Sequence, residues 1–130
     1  MSGPQITKHD ILKASEGMLQ KQLYVVFTKP TNGMGPVMEN IEEHLKFQIE
    51  LERKGVMFGA GPFWADNEVD WHGEGMVVIR AGSLAEARDI AAQDPMHSSG
   101  ARSFEVRPWL LNEGTLTVKV DYSTGSREII

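Results

Sequence analysis

Between Val56 and Arg80 the chain reads VMFGAGPFWADNEVDWHGEGMVVIR, and this stretch decides the fold. Residues 56–58 start a strand that runs into Gly59, Ala60, Gly61 and Pro62. Small residues there allow close backbone approach and proline prevents central pairing, so a bulge or a sheet edge is expected. Residues 63–74 combine acids with Phe63, Trp64, Trp71 and His72, which reads as a hairpin loop. Residues 76–80 (MVVIR) form the next strand. Two strands in succession, with a helix expected on either side, give a split β-α-β arrangement.

Upstream, residues 23–28 (LYVVFT) are β-branched, aromatic and almost wholly apolar, a core strand covered on at least one face. Residues 29–36 (KPTNGMGP) read as a loop, and they lack the Lys and Ser/Thr of a phosphate cradle. Val37, Met38, Ile41, Leu45, Ile49 and Leu51 recur at helical spacing, which predicts one helix over 37–54 with Gly55 as its left-handed cap. Downstream, Ser83 and Glu86 form an S-x-x-E capping box before Leu84, Ala87, Ile90 and Ala91, and Pro95 ends that helix. Phe104 and Val106 alternate with polar residues in a strand halted by Pro108. Leu116, Val118, Val120 and Tyr122 predict a fifth, half-buried strand, with the last residues frayed. A short helix is expected after Thr7 and Asp10, interrupted by Gly17.

The fold class is therefore α+β, a ferredoxin-like βαββαβ sandwich with an extra C-terminal strand. Its organisation is an N-terminal, partly helical extension (1–22), the ferredoxin-like domain (23–110) and a C-terminal strand extension (111–130). With both helices on one side, the other face of the sheet needs a cover, and a homodimer supplies it most simply.

Composition narrows the function classes. The 130 residues carry 13 Lys and Arg against 18 Asp and Glu, a net charge of −5, which argues against broad nucleic-acid binding. No cysteine occurs, excluding disulfides and thiolate chemistry and leaving a cytoplasmic location as the default. The longest apolar runs are far below the roughly 18 residues of a bilayer crossing, so neither a membrane partner nor a signal segment is expected. Small molecules and a second copy of the chain remain as partners.

His44 lies three residues after Ile41 on the first long helix, and Asp94 closes the second. Since both helices cover one side of the sheet, a His–Asp general-base dyad is geometrically permitted. The alternative is a satisfied, half-buried histidine beside a capping carboxylate in an Asp-Pro step. His97, in the M-H-S-S-G segment, is either a second acid or a solvated loop residue, with the latter favoured. Arg102 and Arg107 are either carboxylate binders or solvated surface arginines. Phe63, Trp64 and Trp71 either wall an aromatic ligand or sit at a dimer seam. Met38, Met57 and Met76 read as gap-filling core, as does Trp109. Ser98 and Ser99 lack a G-x-S-x-G turn, and the four histidines form no H-x-x-x-H pair, so no metal or other cofactor is expected.

Residues 23–109 resemble the YciI-like (YCII-related) family of the dimeric α+β barrel superfamily. The likeness rests on LYVVF, EEHLKFQIELERKG, F-G-A-G-P, GEGMVVIRA, SLAEARDIAAQDP and the strand ending in VRPW. The resemblance implies a ferredoxin-like dimer whose active-site histidine and aspartate fall on His44 and Asp94. The family's Gly-Pro turn falls on Gly61 and Pro62. Two departures stand out: Met96 replaces the usual large aromatic after Asp-Pro, and a segment follows Trp109. The expected function is that of a small cofactor-independent enzyme performing elimination, as in a dehydrochlorinase, or isomerisation, as in muconolactone isomerases. Its substrate would be a cyclic or aromatic-derived organic acid. His44 and Asp94 would be catalytic, with Gly61, Pro62, Phe63, Trp64 and His97 around the substrate. The rival from another class is a noncatalytic small-molecule-binding or accessory protein.

Overall fold

Aliphatic residues fill the middle of the main sheet, while glycine and proline mark one of its edges. The structure, a computed structural model, describes residues 3–130. In chain order it contains α1 (Lys8–Ala14), β1 (Lys21–Pro30), α2 (Met34–Glu39), α3 (Ile41–Arg53), β2 (Met57–Pro62) and β3 (Gly75–Ile79). There follow α4 (Leu84–Ala92), α5 (Pro95–Ser98), β4 (Arg102–Leu111), β5 (Val118–Val120) and β6 (Arg127–Ile129). Four strands make one sheet in the order β2–β3–β1–β4, with β3 antiparallel to both β2 and β1. This is the ferredoxin-like arrangement expected from the two successive central strands.

The chain divides into two compact units. In the larger, residues 22–110, Tyr24, Val26, Ile79, Ala87, Ala91 and Val106 form the main core between sheet and helices. Phe47 and Leu51 of α3 and Ile90 and Ala91 of α4 border one small cavity together with Val26, Val77 and Ile79, so both long helices lie on the same sheet face. Val37, Met96 and Ala101 form a second, wholly buried cluster against Met34 and Ile41. On the other face Leu23, Val25 and Val78 are buried, while Phe27 and Trp109 remain 36% and 40% exposed. Burial on both faces accounts for the unbroken LYVV run. The smaller unit comprises residues 3–21 and 111–130. In it the Thr7–Asp10 capping box opens α1, and β5 and β6 pair as an exposed antiparallel hairpin.

Five local expectations are corrected. The 29–36 loop is shorter, because β1 runs to Pro30 and Pro36 sits inside the first turn of α2, where a missing N–H is tolerated. The single helix over 37–54 is broken at Asn40, whose Nδ2 donates to Pro36 O at 2.8 Å. The break turns Met38, Leu45 and Ile49 outward, leaving Val37 and Leu51 buried. Pro108 does not end β4, since β4 is an edge strand whose outward positions need no donor. Trp109 is partly exposed and not core. The fifth strand pairs with β6 in place of a frayed end, and its apolar residues are exposed.

The edge at β2 behaves as its glycines demand. Its register with β3 shifts between Met57 and Gly59. Gly75 of β3 lies so close to that edge that an added Cβ would meet Gly61 O at 3.1 Å. No helix among the described residues is long and apolar enough to cross a membrane.

Met96 is completely buried and joins α5 to α2 and α3. Met96→Ala is expected to cost about 2–4 kcal/mol, read as a lowered urea midpoint at constant m-value; an unshifted midpoint would contradict this packing.

Candidate active site

The Asp94-Pro95 step builds the site. Proline keeps the preceding residue out of helical geometry, and Asp94 takes an extended conformation as N-cap of α5. Its Oδ1 accepts from Met96 N–H at 2.9 Å. Its carboxylate also meets His44 Nδ1 at 2.8 and 2.9 Å. Asp94 is only 4% exposed. Burial alone would push its carboxyl pKa up, but the hydrogen bonds from His44 and Met96 N–H and the neighbouring imidazoles outweigh it, holding the group below the ordinary carboxylate value.

A carboxylate at Nδ1 requires that nitrogen to carry the proton. In the neutral ring, the lone pair then sits on Nε2. Among the described residues Nε2 has no hydrogen-bond partner, and it is not among the sealed polar atoms. His44 thus presents an unused proton acceptor to a cavity of about 290 Å³.

His97 is held differently. Its Nδ1 donates to Ala91 O at 2.7 Å, so Nε2 accepts from Thr28 Oγ1–H at 2.8 Å. Its ring lies 4.4 Å from that of Phe104. The solvated-loop expectation is therefore corrected: Met96 is buried beneath α5, which turns His97 inward over the sheet. Burial is the main cause that holds its pKa down, aided by Arg102 and His44 and opposed by the bond to Ala91 O and by Asp94.

The cavity brings together His44, Asp94, Gly61, Pro62 and His97. It does not take in Phe63 or Trp64. Alternation along the edge strand sends Phe63 to an adjoining hollow with Phe27 and Lys29, and Trp64 lies beyond the strand, 63% exposed. Trp71 takes the wall position instead, anchored by Nε1–H to Glu74 O at 2.8 Å. Ile41, Leu45 and Val77 supply apolar wall.

Arg102 is the residue that sequence reasoning undervalued. At the first position of β4 it is 6% exposed, lines the same cavity, and stands 5.9 Å from the Trp71 ring. Arg107 instead lies on the other sheet face, with Val25 and Trp109. Period-2 alternation from Phe104 and Val106, which point to the helices, placed Arg102 on the inner face and Arg107 on the outer one. That signal was present in the sequence. Among the described residues no group of three or more His, Asp or Glu side chains could hold a metal ion.

This is a ferredoxin-like α+β protein with an imidazole–carboxylate pair in an open cleft. Residues 22–110 match the YCII-related domain, and the chain belongs to that family. No curated protein matches it. Among solved structures it is similar to the 5-chloro-2-hydroxyhydroquinone dehydrochlorinase of Burkholderia phenoliruptrix, in complex with 2,5-dihydroxybenzoquinone. The two share 21% identity at a TM-score of 0.53, over 67% of this chain and 92% of that one, a likeness of fold.

His97 should link folding to pH. Its pKa is lower folded than unfolded, so between the two values the unfolded chain holds the extra proton. Its contribution to stability is complete above the unfolded value of about 6.5 and is lost as pH falls through the folded one. His97→Gln is expected to flatten the decline in unfolding midpoint between about pH 7 and 5; an identical slope in both proteins would contradict the neutral, buried ring.

Proposed function

We propose that the chain is a small enzyme acting by general acid–base catalysis on a cyclic or aromatic-derived organic acid. His44 takes a proton from a carbon activated by a neighbouring carbonyl. In an elimination, the C–H electron pair forms a new C=C bond while a leaving group departs with its own pair. In an isomerisation, the imidazolium returns the proton to another carbon. Asp94 holds the ring through Nδ1–H and stabilises its cationic form. The observation that carries this reading is the His44–Asp94 contact of 2.8 Å, with Nε2 turned to an open cavity. Ala60 supports it as well, because beside Val77 it gives this wall only a methyl group, leaving room where a ring can lie, while Gly61 borders the cavity through its backbone. Pro62 borders that space and His97 closes it from the α5 side. The choice of elimination is supported by the dehydrochlorinase that shares the fold.

The same reading includes a homodimer and a chain organised as 1–22, 23–110 and 111–130. Support for pairing comes from the sheet face opposite the helices, where Val25, Phe27, Met76 and Trp109 border an open hollow of about 260 Å³. An apolar hollow of this kind is better shielded by a second sheet than by water.

Turnover is tested on a panel of chlorinated hydroxyquinols and muconolactones, followed by halide release and absorbance. His44→Ala is expected to lower kcat/KM by about 10²- to 10⁴-fold, and Asp94→Asn to lower kcat with the fold retained. Unchanged turnover in His44→Ala would end the acid–base reading, and binding without turnover across the panel would replace it with a noncatalytic ligand-binding role. For the assembly, sedimentation at micromolar concentration is expected to give a dimer that Trp109→Glu dissociates; a wild-type monomer would count against pairing.

A further inference from the structure

Arg102 poses an electrostatic problem that the fold leaves open. Its guanidinium is almost wholly buried, and its Nε–H has no hydrogen-bond partner among the described residues. A buried cation without a partner is costly, and none of the carboxylates around it is at ion-pair distance. Asp94 is engaged by His44 and by Met96 N–H. Glu74, on the same cavity, is solvent-exposed and is not ion-paired with it. What faces Arg102 is the indole of Trp71, 5.9 Å away, which favours a cation but neutralises nothing. Leu45 and Val77 add apolar wall beside it.

We propose that Arg102 is the anion-receiving group of the cleft and that its ligand is a flat, unsaturated organic anion. A negatively charged oxygen on the ring pairs with the guanidinium, whose planar fork suits a carboxylate or an enolate. The ring lies against the apolar wall beside Trp71, and its acidic C–H meets His44. The role given to His44 rests on the acid–base reading of this same cleft; the anion site itself does not. Arg102 would also act on the chemistry, because a cation beside the oxygen stabilises the charge that proton removal sends there.

The test uses benzoate and benzamide, which share shape and differ in charge, with NMR of the Arg102 Nε–H and calorimetry on the full chain. Benzoate is expected to move that resonance and to bind about ten-fold or more tighter than benzamide. Arg102→Gln should erase the preference, and His44→Ala should keep it while losing turnover. Cyclohexanecarboxylate, charged but puckered, is expected to bind severalfold more weakly than benzoate. Equal binding of benzoate and benzamide to wild type, or no movement at Arg102, would overturn the anion site, even if Arg102→Gln fails to fold. Equal binding of the two carboxylates would overturn the flat-ring requirement. Turnover surviving in His44→Ala would overturn the acid–base reading and leave the charge preference standing.

Discussion

The buried carboxylate of Asp94 is the group on which the architecture turns. It starts α5 by accepting Met96 N–H, and it joins α5 to α3 by accepting from His44. A carboxylate removed from water is tolerable only when its lone pairs are used. Here three contacts use them, and their joint effect on its acidity exceeds that of burial. The same bonds that make the burial tolerable fix the tautomer of His44. Structure and chemistry therefore rest on one set of hydrogen bonds, and the site cannot be loosened without loosening the start of α5.

The cleft owes its opening to what the opposite wall lacks. Along β2, Ala60 gives the cleft only a methyl group, and Gly61 borders it through its backbone, close against Gly75 of β3. On the helix side, the break at Asn40 reorients α3 so that Leu45 faces the cavity while Val37 secures α2 in the second cluster. A continuous helix would keep its apolar stripe on one core. Breaking it divides the stripe, with one end in the packing beneath α5 and the other at the surface of the site.

Much of this was legible in the sequence, for physical reasons that differ by residue. Period-2 alternation at residues 104 and 106 and the apolar LYVV run fix strands because backbone geometry imposes them locally. The S-x-x-E signal likewise located α4: Ser83 Oγ accepts from Glu86 N–H, although Glu86 reaches back to Gly82 N–H and not to Ser83. His44 and Asp94 could be brought together because helix phase and an Asp-Pro step are both local facts. What escaped were features decided by other segments. Asn40 breaks its helix through a side-chain bond to Pro36 O, which helical periodicity does not register. His97 looked solvated in a polar segment, yet the burial of Met96 carries it inward. The exposure of β5 depends on its pairing with β6, which alternation alone does not reveal.

Arg102 shows how the two kinds of information combine. Its register with Phe104 and Val106 already placed it on the helix-covered face, yet arginine composition suggests surface, and composition prevailed over phase. The structure reverses that weighting by burying the guanidinium beside Trp71 without a counter-charge. Asp94 holds a negative charge that its own hydrogen bonds satisfy, whereas the positive charge of Arg102 has no such partner. The two charges are thus unequal in what they leave undone. A cleft whose buried carboxylate is satisfied and whose buried cation is not has a field that favours an incoming anion at that cation, and that asymmetry follows from burial and bonding before any substrate is named.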